Sequence, residues 1–101
     1  MTTFKIVFST TAEKELEESF NWYEKKTAGL GERFVVVIDN SLVSICSNPE
    51  AYSNKRTKYR EFVVDDFPYI IVYELITKDH IINILHVFHT SRNPKLKYKN
   101  K

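Results

Sequence analysis

A chain of 101 residues has room for one domain and one hydrophobic core. With 43% hydrophobic and 28% charged residues, 2 Gly and 3 Pro, its composition excludes extended disorder and low complexity. Its single cysteine, Cys46, excludes an internal disulfide and a paired-cysteine zinc site.

Net charge is only +2, but the two halves differ. Residues 1–50 carry five basic and eight acidic side chains, and residues 51–101 carry ten basic and five acidic. A basic half attracts polyanions or an acidic protein, although a charge run by itself is as often a plain solvated surface. No basic-then-apolar leader opens the chain, and no apolar stretch approaches the roughly 20 residues of a spanning helix. A single cytoplasmic domain over residues 1–101 is expected, ending in a basic tail over 95–101.

Phe4, Ile6 and Phe8 alternate with Lys5 and Val7, the period of a short strand. Thr10-Thr11-Ala12-Glu13 has the form of a capping box, with a hydroxyl at the cap and a carboxylate three residues on. Ala12, Leu16, Phe20 and Tyr23 follow at helical spacing. Glu13, Glu15 and Glu17 near the start and Lys25 and Lys26 near the end suit the helix dipole. Gly29 and Gly31 break that pattern. A second helix is expected over 30–47, with Leu30, Phe34, Ile38, Leu42 and Ile45 as its buried stripe and Asn48-Pro49 as its stop. So short a connection makes the two helices an antiparallel hairpin. Cys46, beside Leu42, Val43 and Ile45, reads as a structural thiol.

A polar loop over 50–57 leads to three strands, expected over 59–65, 69–77 and 80–88 and joined by tight turns as an antiparallel meander. The fold class is therefore α+β, in the order β-α-α-β-β-β: an antiparallel four-stranded sheet with a helical hairpin on one face. Strand parity puts Ile70, Val72 and Ile76 opposite Tyr69, Ile71 and Tyr73. One set faces the helices, so the other would leave an apolar strip open to a partner. Trp22 lies off the stripe of the first helix. It would either pack on the sheet edge or anchor a partner, and packing is the simpler reading. Ile70, Val72 and Trp22 are thus the candidate contacts for a bound protein.

Several motifs, in order, resemble the RelE/ParE toxin superfamily from Phe4 to about Tyr98. They are the segment from Phe8 to Leu16, Leu30-Gly31 with Phe34, Asn48-Pro49, Tyr59-Arg60, Phe67-Pro68-Tyr69, the run from Ile71 to Glu74, and His89-Thr90-Ser91-Arg92-Asn93-Pro94. The resemblance implies a growth-inhibiting toxin of a plasmid-stabilising type II toxin–antitoxin pair, with a cognate antitoxin as partner, no cofactor and no metal. Across the superfamily, RelE-like members cut messenger RNA on the ribosome, whereas ParE-like members poison DNA gyrase without being nucleases. A third reading is a degenerate module that binds but harms nothing.

RNA cleavage through the 2′-hydroxyl needs a base, a proton donor to the leaving oxygen and cations for the phosphorane. By the resemblance, Arg60, His89, Arg92 and Tyr98 are the catalytic candidates for a nuclease. Lys55, Arg56, Lys58, Arg60, Arg92, Lys95 and Lys97 are the candidates for gripping nucleic acid or another target. Arg60 has a structural alternative in pairing with Glu61 or Asp65, and Arg92 in anchoring the chain as it leaves the sheet. His86, on an apolar face with Ile82, Ile84 and Phe88, reads as a hydrogen-bonded core histidine, while His89 at the strand end is the better site residue. The two point to opposite faces, which argues against a shared metal. RelE has an arginine after the tyrosine corresponding to Tyr69; here that position is Ile70, and the chain leans towards the gyrase-directed branch.

Overall fold

The computed structural model describes residues 3–54 and 57–91. Its elements are β1 (Lys5–Phe8), α1 (Thr10–Lys26), α2 (Leu30–Ser47), β2 (Ser53–Asn54), β3 (Tyr59–Val63), β4 (Tyr69–Ile76), a 3₁₀ turn (Thr77–Asp79) and β5 (Ile81–His89). The α+β order expected from the sequence is present. The sheet runs β1-β5-β4-β3-β2. β3, β4 and β5 form the antiparallel meander, but β1 lies parallel to β5, with Lys5 opposite Ile81 and Phe8 opposite Ile84. The sheet is therefore mixed, and the two-residue strand β2 adds a fifth member inside the expected polar loop. Parallel pairing follows from the crossover: the helical hairpin carries the chain over the sheet before the meander brings its last strand back beside the first.

Each helix turns the stripe its spacing specifies towards the sheet, except that Phe20 is half-buried and lies outside the core. Ala12 and Tyr23 of α1 and Phe34, Ile38 and Ile45 of α2 are buried against Ile71, Tyr73, Ile82, Ile84 and Val87 of the sheet. Burial of an aliphatic or aromatic side chain of this size contributes about 1.5–3 kcal/mol. Tyr23, Phe34, Phe67 and Tyr69 pack their rings at centroid distances of 4.9 to 6.3 Å, closing the end of the core where the hairpin turns. Cys46 is half-buried, and burial pushes its thiol pKa up, away from nucleophilic use.

The cap of α1 is Ser9, one residue before the expected Thr10. Its hydroxyl accepts from the Ala12 N–H at 3.0 Å and donates to the Leu85 carbonyl at 2.9 Å, so a tertiary contact selects the capping residue. Glu24 caps α2 from the preceding helix: its two carboxylate oxygens accept from the Gly29 and Gly31 N–H groups at 2.8 and 2.9 Å. Gly29 sits at φ +88°, a conformation that favours glycine.

β5 carries a bulge. Tyr73 pairs with Ile84 and Val72 with His86, which leaves Leu85 as an extra residue. The extra residue reverses side-chain parity beyond it. Ile82, Ile84 and Val87 all belong to the helix-side core, whereas Leu85 joins Tyr59 and Val72 in a second cluster on the other face. His86, paired with Val72, and Phe88, paired with Ile70, therefore do not share the face of Ile82 and Ile84 as simple alternation implied. The apolar strip expected to lie open is also closed: Val72 is wholly buried and Ile70 half-buried. Val72 offers no surface to a partner.

Candidate functional site

β1 ends at Phe8, but β5 continues to His89, so the outer edge of β5 beyond Ile84 has no strand beside it among the described residues. The start of α1 fills part of that edge. Ser9 donates its N–H to the Ile84 carbonyl and its hydroxyl to the Leu85 carbonyl, and Glu15 accepts from the Val87 N–H at 2.8 Å. The Glu15 carboxylate also lies 3.1 Å from Nδ1 of His86. Both side chains are buried, and His86 is only 2% exposed. A buried carboxyl group is tolerated only with such hydrogen-bond partners. His86 is thus a hydrogen-bonded interior residue, and its bond to α1 fixes the helix against the strand.

Further along the same edge, α1 and the strand ends diverge into a groove of about 450 Å³ lined by Glu18, Ser19, Trp22, Tyr69, Pro68 and His89. A smaller polar hollow of about 260 Å³ continues it towards Glu15 and Val87. Trp22 is 56% exposed on the groove wall, with the Lys26 ammonium 4.7 Å from its ring centre and Tyr23 edge-on at 5.0 Å. Tyr69 donates its hydroxyl to Ser19 Oγ at 2.9 Å and meets the His89 ring edge-to-face at 5.0 Å. Burial first, and then neighbouring Tyr69, pushes the Tyr23 hydroxyl up to about 12, so it stays protonated.

His89 is held in one role. The Ser91 backbone N–H donates to its Nδ1 at 3.0 Å, and Ser91 Oγ lies 2.7 Å from the same nitrogen. A backbone N–H can only donate, so Nδ1 is an acceptor and the neutral ring carries its proton on Nε2. In that state Nε2 is a hydrogen-bond donor and does not abstract a proton. The groove can therefore hold a large apolar or aromatic side chain between Trp22, Pro68 and Tyr69, with donors and carboxylates alongside for a polar group.

The structure joins two residues that the sequence linked to different roles, Trp22 as a partner anchor and His89 as a nuclease candidate. It separates His89 from Arg60. Arg60 pairs with Tyr73 and His89 with Tyr69, so the two lie two strands and four residues apart, on the order of 16 Å by strand geometry. Arg60 Nη1 donates to the carbonyls of Glu50 and Tyr52 at 3.0 and 3.1 Å, holding the segment after α2 to β3; it does not take the expected carboxylate partner in these contacts. Lys58 is exposed and paired with Glu74 at 3.4 Å. Lys55, Arg56, Arg92, Lys95, Lys97 and Tyr98 lie outside the described residues. Among the described residues no cluster of histidine, cysteine and acidic side chains could hold a metal, and no helix is long and apolar enough to cross a membrane.

Sequence reasoning passed over Glu15, Ser19 and Tyr69 as site residues. A signal was present: Glu15 and Ser19 sit beside Ala12 and Leu16 on the inward side of α1, where a polar residue needs a partner.

The family model of the ParE toxin of type II toxin–antitoxin systems (parDE) matches residues 6–94. The chain belongs to this toxin family, within the RelE/ParE superfamily. No curated protein sequence matches it. Among solved structures, a chain of the chromosomal ParDE toxin–antitoxin system from P. aeruginosa superposes with a TM-score of 0.70 at 14% identity, over 86% of this chain and 96% of that one. A chain of the intact E. coli RelBE toxin–antitoxin complex gives 0.64 at 18% identity, over 90% and 100%. The isolated E. coli RelE toxin gives 0.57 at 18% identity, over 94% and 92%. At these identities the likeness is one of fold, and it extends to both branches of the superfamily.

Proposed function

We propose that this chain is the toxin of a type II toxin–antitoxin pair, that it acts on DNA gyrase, and that a cognate antitoxin restrains it. The observation that carries the reading is the family-model match over residues 6–94 to the ParE toxin of type II systems, which supports the gyrase-directed reading because the resemblance implies that target for ParE-like members. The chemistry of the described residues agrees with it. Arg60 is engaged with two carbonyls, His89 accepts the Ser91 N–H on its Nδ1, and the position where RelE has an arginine is Ile70. A phosphorane needs cations and a base gathered within hydrogen-bond reach, and the two described candidates, Arg60 and His89, are held two strands apart.

Fold likeness does not choose between targets, because function lives in the site. The rival reading, cleavage of messenger RNA on the ribosome, rests on Arg92 and Tyr98. Two assays separate the readings. Purified protein added to gyrase should block supercoiling and trap cleaved DNA, while toeprinting on translating ribosomes should show no new cuts. Ribosome-dependent cuts that vanish in Tyr98→Phe and Arg92→Ala, with supercoiling unaffected, would transfer the protein to the nuclease branch.

The antitoxin reading draws on the solved relatives, several of which are toxin–antitoxin complexes. The Trp22–Tyr69–His89 groove is the proposed anchoring point, since an exposed tryptophan beside an apolar hollow is the usual composition of an interface hot spot.

A further inference from the structure

The helices cover one face of the sheet. The other face carries the cluster of Tyr59, Val72 and Leu85, with Ile70 packed against it, and every member comes from a strand. Phe88, opposite Ile70, and His86, opposite Val72, rise from the same side, as does Glu61 on β3. Among the described residues no element crosses this face. Side chains on an uncovered sheet face remain in contact with water. Yet Val72 is wholly buried, Phe88 and Leu85 are 1% and 2% exposed, and Glu61 is 7% exposed. Val63, at the far corner beside Ile70, is 71% exposed. The burial therefore follows a band from the end of β5 across β4 to Tyr59 and Glu61 on β3, and it stops short of Val63.

These side chains are buried within a single chain, so their cover belongs to the chain itself. Outside the described residues, 1–2 adjoin the outer strand β1 and 55–56 close the short connection between β2 and β3; only 92–101 are long enough to span the band. We infer that residues 92–101 return over this face as an extended segment, apolar side inward, and form the second covering layer of the sheet. The chain leaves β5 at Thr90, whose N–H donates to the Pro68 carbonyl at 2.9 Å, and Asn93-Pro94 is a turn-forming pair where the reversal is needed. The band runs two strand spacings across and four residues along, on the order of 16 Å, and residues 95–101 in extended form reach about 23 Å. Leu96 and Tyr98 alternate with Lys95, Lys97 and Lys99, the period of a segment with one apolar and one cationic side. Leu96 and Tyr98 then rest on Tyr59, Val72 and Leu85, and the lysines face solvent. Glu61 and Glu74, both on this face, complement a segment with five cations and no acid. Tyr98 is thereby a packing residue and not a proton donor, and Lys95 and Lys97 form a cationic outer surface. The placement of the segment stands independently of the proposed target.

Nuclear Overhauser contacts in the full, isotope-labelled chain test this directly. Leu96 methyl and Tyr98 ring protons should show contacts to Val72, Leu85 and Tyr59, and the side chains of Lys95 and Lys97 should show none. Binding of the hydrophobic dye ANS should rise several-fold when Leu96→Asp and Tyr98→Asp are combined, because the cluster is then uncovered. It should stay at the wild-type level in Lys95→Ala with Lys97→Ala, and in Tyr98→Phe, which keeps the ring. Absence of the Leu96 and Tyr98 contacts, or contacts from the lysines in their place, would overturn the inference. So would contacts that a mixture of labelled and unlabelled chains shows to be between molecules, which would give the face to a second copy. Unchanged dye binding in the folded double aspartate variant would also overturn it, and if that variant does not fold the wild-type contacts decide alone.

Discussion

At the scale of single residues, Ser9 and Glu15 do for the outer edge of β5 what a longer β1 would do by pairing. Glu15 holds the Val87 N–H and the His86 imidazole at once, and both lie where water does not reach. Removing the carboxylate leaves a buried donor without its acceptor, a loss of about 1–3 kcal/mol per group. Glu15→Ala is therefore expected to lower stability by about 3 kcal/mol in urea unfolding; a change under about 0.5 kcal/mol would show that the carboxylate is not what fastens α1 to the strand. Its role was only half legible beforehand. A glutamate beside the apolar stripe of a helix demands a partner, but that partner lies more than seventy residues away in sequence. The same distance hid the choice of Ser9 over Thr10 as cap, because the Leu85 carbonyl that favours Ser9 comes from the last strand.

Among the elements, both helices and the three-strand meander were legible because each carries its own period, and α2 in particular begins and ends where Leu30 and Asn48-Pro49 indicate. What local pattern cannot carry is pairing. The parallel register of β1 with β5 and the two-residue strand β2 depend on which chain segment arrives alongside. The bulge at Leu85 defeats parity outright, since one inserted residue moves every later side chain to the other face. The helical hairpin depends on Gly31, where an added Cβ would sit 2.7 Å from the Phe20 carbonyl oxygen. Gly31→Ala must push backbone against backbone and should cost about 1–3 kcal/mol. At Gly29 the surrounding space is open but φ is +88°, so Gly29→Ala should cost about 1 kcal/mol through strain alone. Equal thermal melts for Gly31→Ala and wild type would refute the close approach of the helices.

β4 is tied to the end of α2 by Tyr73, whose hydroxyl donates to the Pro49 carbonyl at 2.6 Å. Burial pushes its pKa from 10.0 up to about 12, against a smaller downward pull from Arg60. The folded state therefore keeps a proton that the unfolded chain releases first. That contribution is intact below pH 10 and is lost as pH rises through about 12. Thermal midpoints should fall between these limits, and Tyr73→Phe should fall less steeply over the same interval. A parallel decline in both proteins would assign the alkaline transition to other groups.

For the molecule as a whole, the candidate site was legible as a list of residue types but not as a place. Trp22 and His89 are 67 positions apart and were linked to different roles, yet they line one groove where α1 leaves the sheet. Arg60 and His89 were grouped by chemistry and are held apart by the strands between them. The basic half is a property of the composition; Lys55, Arg56, Arg92, Lys95 and Lys97 lie outside the described residues, and Lys58 and Arg60 are engaged with Glu74 and with two carbonyls. A family toxin differs from a harmless binding domain of the same fold in what it does when no antitoxin is present. The most direct measurement is growth of cells in which this chain is induced alone and, in parallel, together with the product of an adjacent antitoxin gene. The account expects arrest in the first culture, normal growth in the second, and partial escape from the antitoxin in Trp22→Ala. Undisturbed growth while the folded chain accumulates alone would contradict it.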